Sequence, residues 1–218
     1  MSSRTLVVGD VHGCAEELDR LLESARPTCV IAVGDLFTKG PDPAGVWCQL
    51  RDRMADSVLG NHDVRLLDRV DGQRPEDAAA QSVVDALDKV DPSWLPWLRA
   101  RPLTLEVEGW TVVHASIHPS GDLSKTTRWD LLYRRRWPET GPDDPRWVHV
   151  YTGERRVAFG HDAVQGRVEV RRDGRLHVVG LDAGCVYGGR LAGLLIEEER
   201  VFDVPARKVW RTMSRRTT

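Results

Sequence analysis

Seven side chains able to bind metal or move protons recur at one kind of position, just past a short apolar run. Residues 5–8 lead into Gly9-Asp10 and on to His12, and residues 29–33 lead into Gly34-Asp35. Residues 57–59 lead into Gly60-Asn61-His62, 110–113 into His114, and 157–159 into Gly160-His161. In an extended backbone, residues two apart point to the same face, so Asp10 and His12 can converge on one ion. Asp35 ends the neighbouring run, where one carboxylate can bridge two ions. Asn61, His114 and His161 add an amide oxygen and two imidazoles. A donor set of oxygen and nitrogen without thiolate suits Mn, Fe, Zn or Co rather than a structural zinc. It is large enough for two ions, and paired ions about 3.5–4 Å apart are suited to in-line attack on phosphorus. Each residue alone also has a plain reading, as a turn glycine beside a surface carboxylate or a satisfied strand-end histidine. Their shared context at successive run ends is what argues for metal.

These side chains can meet only if the runs are neighbouring strands with their carboxyl ends together. The first sixty residues read as strand, helix, strand, helix, strand: 5–8, then 16–25 with leucines at 18, 21 and 22, then 29–33, then a helix opened by Pro43, then 57–59. That alternation predicts a parallel sheet with crossovers, in which ligands sit beyond the carboxyl ends of the strands. Residues 75–101 read as a helical insertion, with Asp77 placed to start a helix over 78–90. Residues 103–107 and 110–113 flank Glu108-Gly109 as a hairpin, and 168–172 and 175–181 flank Asp173-Gly174. Residues 191–197 and 201–204 are expected to complete an antiparallel second sheet. Residues 118–153 show no clear period and read as loops and short helices, and the last eight residues read as frayed.

The 218 residues predict one domain, 1–218, with 70–101 and 118–153 as cap or insert segments. Thirty-one Lys and Arg against thirty-three Asp and Glu give a net charge of −2, which argues against a dedicated nucleic-acid binder, since such a protein carries a basic surplus. At 41% apolar and 29% charged, the chain is neither disordered nor membrane-embedded. Its longest apolar run, 183–189, is far below the eighteen or so residues of a spanning helix. Asp10 falls where a signal peptide would still be apolar, which points to a cytoplasmic protein. Cys14, Cys29, Cys48 and Cys185 lack metal-type spacing and read as reduced thiols.

Gly9-Asp10-Val11-His12-Gly13, Gly34-Asp35-Leu36-Phe37-Thr38-Lys39-Gly40 and Gly60-Asn61-His62-Asp63 resemble the GDxHG, GDxxxxG and GNH-acid signatures of the calcineurin-like metallophosphoesterases. His114 in VVHAS and His161 in FGH resemble that family's two later histidine motifs. GDLFTKGPDP, GNHDVRLL and LDAGCVYGGRL are similar to its phosphoprotein phosphatase branch, and within it to the bacterial symmetrical diadenosine tetraphosphatases. Five motifs in order across residues 5–204 make the resemblance specific.

It implies a four-layer α/β sandwich, two mixed β-sheets flanked by helices, with a small helical or loop cap. It also implies two divalent ions, manganese favoured with Fe, Zn or Co as alternatives. One would be held by Asp10, His12 and Asp35, the other by Asp35, Asn61, His114 and His161. A water between the ions would attack phosphorus, and His62 would protonate the leaving oxygen. Lys39 stands where phosphoprotein phosphatases carry a phosphate-clamping Arg, and Arg65, just past the GNHD turn, is a second phosphate-binding candidate.

Thr38-Lys39 replaces that branch's Asp-Arg, and a lysine lacks the planar bidentate grip of Arg on phosphate. The change favours a nucleotide-like small molecule, a dinucleoside polyphosphate such as diadenosine tetraphosphate, over a phosphoprotein. The alternatives are a Ser/Thr or dual-specificity protein phosphatase and a catalytically silent phosphate- or metal-binding module. Trp129, Trp137 and Trp147 are the candidates for base stacking, Asp182 for a group behind the metals, and Asp63 for a local cap or orienter. Arg134-Arg135-Arg136 reads as a solvated loop, and His149 and His177 as surface residues.

Overall fold

The computed structural model describes residues 3–75, 77–138 and 141–213. Two five-stranded sheets face one another. The first runs in the order β10-β9-β1-β2-β3, built from β1 (Thr5–Val8), β2 (Cys29–Ala32), β3 (Asp56–Ser57), β9 (Arg190–Leu195) and β10 (Arg200–Pro205). The second runs β4-β5-β6-β8-β7, from β4 (Thr104–Val107), β5 (Trp110–Val113), β6 (Arg156–Phe159), β7 (Val168–Arg172) and β8 (Arg175–Gly180). In the second sheet a parallel centre, β5-β6-β8, has an antiparallel strand on each side, while in the first the parallel set β1-β2-β3 runs to one edge and the antiparallel β9 and β10 form the other.

The assignment of residues 191–204 to the second sheet is corrected. β9 pairs antiparallel with β1, Leu6 opposite Leu195, and carries β10 outward as the edge of the first sheet. Strand pattern cannot reveal this. Leu191, Leu194 and Leu195 are equally apolar toward either sheet, and residues 181–189 carry the chain from β8 across to the first sheet.

The period of two sorts each strand between layers. Leu6 and Val8 join a core under the outer helices, while Val7 faces inward with Ile31 and Val33 to meet Trp110, Val112 and Ala158 of the second sheet. α1 (Ala15–Ala25) packs Leu18, Leu21 and Leu22 onto the outer face of the first sheet. α2 (Pro43–Asp52) starts with Pro43 behind an Asp42 cap whose carboxylate accepts the Gly45 amide at 2.7 Å. α4 (Ala78–Val90), capped by Asp77, and α5 (Trp94–Arg99) complete this layer. Among the described residues no helix is long and apolar enough to cross a membrane.

Residues 118–153 form the layer outside the second sheet. α6 (Arg128–Tyr133) and the turn Trp147–His149 place Leu131, Trp147 and Val148 against Val113, Phe159 and Val178. Trp147 is therefore core and not a base-stacking surface. Trp129 is half exposed and stacks on Tyr133, and Trp137 packs against His118. His177 is also corrected: it is buried, with its Nε2 at 2.9 Å from the Gly153 carbonyl. His149 is exposed as expected. All four cysteines are free thiols.

Candidate functional site

The carboxyl ends of β1, β2, β3, β5, β6 and β8 open into one cleft of about 370 Å3. Asp10, His12, Asp35, Asn61, His62 and His161 line it, and His114 lies at its floor with no exposed surface. The two first loops are tied together by backbone bonds, His12 N–H to the Asp35 carbonyl at 2.8 Å and Gly13 N–H to the Leu36 carbonyl at 2.7 Å. His12, Asp35, Lys39 and His161 all hold left-handed backbone, with φ of 48°, 55°, 72° and 69°. Such conformations are uncommon outside glycine and cluster at functional sites.

α3 (Asn61–Val70) begins at the site itself, a helix not expected from the sequence. Asn61, His62 and Asp63 are weak helix formers, and the usual capping side chain is missing at Gly60. Asp63 replaces it by reaching back: its carboxylate accepts the amides of Gly60 (2.9 Å), Asp35 (2.7 Å) and Leu36 (3.0 Å). It is the orienter expected of it, locking the end of β2 to the start of α3. Burial and the Asp35 charge push it up to about 7, against the three amides that favour its charged form.

Asp35 stands between two groups of donors. Oδ2 lies 3.4 Å from His12 Nε2, and Oδ1 lies 3.5 Å from His114 Nε2 while accepting the His62 amide at 2.8 Å. Burial alone would raise its pKa, but His114, His62 and His12 outweigh that and hold it well below the usual carboxylate range. Asp10 is driven well above that range by burial and by the charges of Asp182 and Asp35, although the His161 amide donates to it at 3.0 Å. Burial likewise raises Asp182 to about 6.

The imidazoles are oriented by backbone carbonyls. His114 Nδ1 is 2.9 Å from the Val33 carbonyl, and His161 Nε2 is 3.1 Å from the Tyr133 carbonyl. A nitrogen facing a carbonyl carries the proton, so the other nitrogen of each ring presents a lone pair. Those two lone pairs face one another across 3.1 Å, with Asn61 Oδ1 3.1 Å from His114 Nε2 and Asp35 Oδ1 beside them. Burial lowers the pKa of both histidines, which disfavours protonation as a way to relieve the contact. Acceptors converging on acceptors in a buried site suit a cation, and the oxygen–nitrogen donor set fits divalent metal. Asp10, Asp35 and His114 offer ligand atoms within 4.8 Å of one another.

His12 Nε2 meets the Lys39 ammonium at 2.8 Å, and burial and that charge hold its pKa well below the usual value. Lys39 also lies over the Tyr187 ring at 5.4 Å. His62 packs edge-on against His12, 5.1 Å between ring centres, and burial lowers it to about 4. Arg65 reaches the cleft across Tyr133, 5.7 Å from that ring.

Asp182 lines the cleft as expected, its carboxylate accepting the Gly184 amide at 3.1 Å. Other lining residues carry no strand-end signal. Arg135 lines the cleft and donates to the His161 carbonyl at 3.1 Å, so the Arg134–Arg136 run is not wholly a solvated loop. Of the last eight residues, 214–218 lie outside the described residues. Arg211, Thr212 and Met213 are not frayed ends but part of the cleft wall, held through the Arg211 amide on the Val186 carbonyl at 3.0 Å.

Two facing mixed sheets with a buried Asp/His/Asn cluster at their joined carboxyl ends define a metal-dependent phosphohydrolase. The chain belongs to the calcineurin-like phosphoesterase family, whose family model matches residues 3–191. Members of that family use a dinuclear divalent metal centre, and this chain carries Asp and His groups able to bind metal. It is 28% identical to a protein of Vibrio campbellii named symmetrical bis(5'-nucleosyl)-tetraphosphatase, over 93% of this chain and 98% of that one. It is 25% identical to a protein of Oceanobacillus iheyensis named as an asymmetrical bis(5'-nucleosyl)-tetraphosphatase, over 93% and 92%. Among solved structures, one described as "a putative diadenosine tetraphosphatase" matches with a TM-score of 0.79 and 29% identity, covering 94% of this chain and 95% of that one.

Proposed function

We propose that this enzyme hydrolyses the phosphoanhydride chain of a dinucleoside polyphosphate, with diadenosine tetraphosphate the favoured substrate. Two divalent ions, manganese first among them, would be held by Asp10, His12 and Asp35 and by Asp35, Asn61, His114 and His161. The observation that carries this reading is the meeting of the Asn61 oxygen and two imidazole lone pairs beside a carboxylate whose two oxygens face opposite sides. Bound ions of this kind polarise a phosphate oxygen and bring the pKa of a water down to about 7.

The chain's own groups divide the remaining work. Asp63 fixes the Asp35 loop, and the Val33 and Tyr133 carbonyls fix which imidazole nitrogens are free. His62, at the mouth of the cleft, gives a proton to the departing oxygen. The negative charge of a phosphate chain beside it favours its protonated form and opposes the burial that lowers it. The Lys39 ammonium, which lines the cleft beside His12, contacts a non-reacting phosphate oxygen. A point charge accepts several phosphate geometries, which suits a chain of bridging phosphates better than a single terminal monoester. The names and identities of the relatives support the same substrate class.

The test is a panel of dinucleoside tetraphosphate, mononucleotides, a phosphopeptide and an aryl phosphate, run on manganese-loaded enzyme and on Asp35→Asn. The reading expects the dinucleotide to show the highest kcat/KM. It also expects Asp35→Asn to lose bound metal together with turnover of every substrate. Preferred turnover of the phosphopeptide would turn the reading to a protein phosphatase. Full turnover by Asp35→Asn with undiminished metal content would end the two-ion assignment.

A further inference from the structure

Next to the cleft lies a second groove of about 430 Å3, close to the 370 Å3 of the cleft itself. It runs between α3 and α4, and the two cavities share Lys39, His62, Arg65 and Arg211 as a common wall. Four cations face the groove: those three basic residues and Arg69. The single carboxylate is Asp77, already engaged by Arg69 at 2.6 Å and by the Ala79 amide at 2.9 Å. Among the described residues, Arg65 and Arg211 have no carboxylate within ion-pair distance. The α4 side contributes small side chains, Ala79, Ser82, Val83 and Ala86, which leave a shallow, mostly apolar floor. A cationic rim over such a floor matches a molecule with phosphates at one end and a flat, weakly polar base at the other.

We propose that this groove seats the departing nucleoside diphosphate, so that a dinucleoside tetraphosphate lies across His62 with one half in each cavity. The proposal rests on the substrate reading above and adds where the second half goes. Water adds its oxygen to the attacked phosphorus and gives up a proton to solvent, while the bond from that phosphorus to the central bridging oxygen breaks. The bridging oxygen takes a proton from His62 and leaves with the second nucleoside diphosphate. His62 is suited to that step because it is the one imidazole lining both cavities. Lys39, Arg65 and Arg211 flank the chain where it crosses from one cavity to the other.

Groove-filling variants test this on the full, manganese-loaded chain. Ser82 and Ala79 are exposed on α4, so Ser82→Trp and Ala79→Trp intrude on the groove without disturbing a core. Each is expected to raise KM for diadenosine tetraphosphate about ten-fold more than KM for an aryl phosphate, which needs only the cleft. Chromatography of the wild-type products should show ADP alone. Equal changes on the two substrates, or none on the dinucleotide, would overturn the groove assignment and leave the substrate reading standing. AMP with ATP as products would overturn the division into two equal halves. Failure of the wild-type enzyme to cleave the dinucleotide at all would remove both readings together.

Discussion

Gly160 offers a perturbation whose cause is a single contact. A methyl group there would fall 2.0 Å from Asp10 Oδ1 and 2.6 Å from Val33 Cγ2. Carbon and oxygen do not approach within about 3 Å, so in Gly160→Ala the Asp10 carboxylate must retreat by about 1 Å. The same carboxylate accepts the His161 amide at 3.0 Å, so the displacement loosens a second proposed ligand as well. Ligand distances in a metal site tolerate only about 0.2 Å, and a misplacement of about 1 Å can cost a hundred-fold in rate. Gly160→Ala is therefore expected to lower turnover about a hundred-fold and to weaken metal retention. The added methyl should also destabilise the fold by about 1–3 kcal/mol. In a chain of this length each kcal/mol is worth about 2–4 °C of melting temperature.

Gly109→Ala is the control. Gly109 has a left-handed backbone, φ 78°, with nothing within 4 Å of an added methyl, so it should lose about 1 kcal/mol of stability and keep its metal. The assay is metal content after gel filtration, read beside melting temperature and aryl phosphate turnover. If Gly160→Ala kept its metal and wild-type turnover, Asp10 would not be positioned by this contact and its assignment as a ligand would fall.

Two further outcomes follow from other parts of the molecule. His62→Ala should lower turnover of the dinucleotide by about a hundred- to ten-thousand-fold, and that of an aryl phosphate with a good leaving group much less; equal losses on both would make His62 a structural residue. Glu199, in the turn between β9 and β10, receives the guanidinium of Arg156 at 2.6 Å, that of Arg175 at 2.7 Å and the Leu176 amide at 3.0 Å, so it joins this turn of the first sheet to the starts of β6 and β8 in the second. Arg175, Leu176 and Arg156 outweigh burial and lower its pKa, so its stabilisation is present above the unfolded value of about 4.3 and is lost as pH falls through the folded one. Glu199→Gln should cost about 2 kcal/mol at pH 7. The gap in melting temperature from wild type should close below about pH 4, and a gap unchanged at pH 3 would contradict the assignment.

What could be read before the fold was known follows the range of the interactions concerned. The six proposed ligands were legible because chemistry confines them to strand ends, and strand ends announce themselves by apolar runs stopped by Gly-Asp, Gly-Asn or His. Local signals also sufficed for the helix opened by Pro43, for the Asp77 cap and for the tight turn at Asp173-Gly174, whereas the Asp42 cap was not read. The placement of β9 and β10 was not legible, because it depends on which edge a distant segment reaches. Trp147 and His177 were misread for a related reason. Trp147 sits in an irregular segment and His177 in the interior strand β8, and in both cases the deciding neighbour comes from elsewhere in the chain, Phe159 for the one and the Gly153 carbonyl for the other. Arg135 and Arg211 belong to the same class. The basic run 134–136 does not show which of its charges turns inward and nothing near Arg211 marks it, and only the folding of 118–153 and of the C-terminal segment brings these charges to the cleft.

Strain and burial at the site explain each other. Left-handed backbone at His12, Asp35, Lys39 and His161 costs of order 1–3 kcal/mol apiece, and every one of these residues could relax if its loop were free. The loops are not free. The amides of His12 and Gly13 are bonded to the Asp35 and Leu36 carbonyls, Asp63 holds the amides of Asp35 and Leu36, and Asp10 holds that of His161. Gly60 and Gly160 close the arrangement by letting backbone press directly on the Asp35 and Asp10 carboxylates, where any side chain would collide. The inter-sheet core of Val7, Ile31, Val33, Val112 and Ala158 lies immediately behind and gives these loops a fixed base. The glycines of the motifs are thus part of the same device as the acids and histidines. They allow two sheets to deliver charged groups into one buried volume, where those groups are poorly compensated by protein alone and well suited to divalent cations.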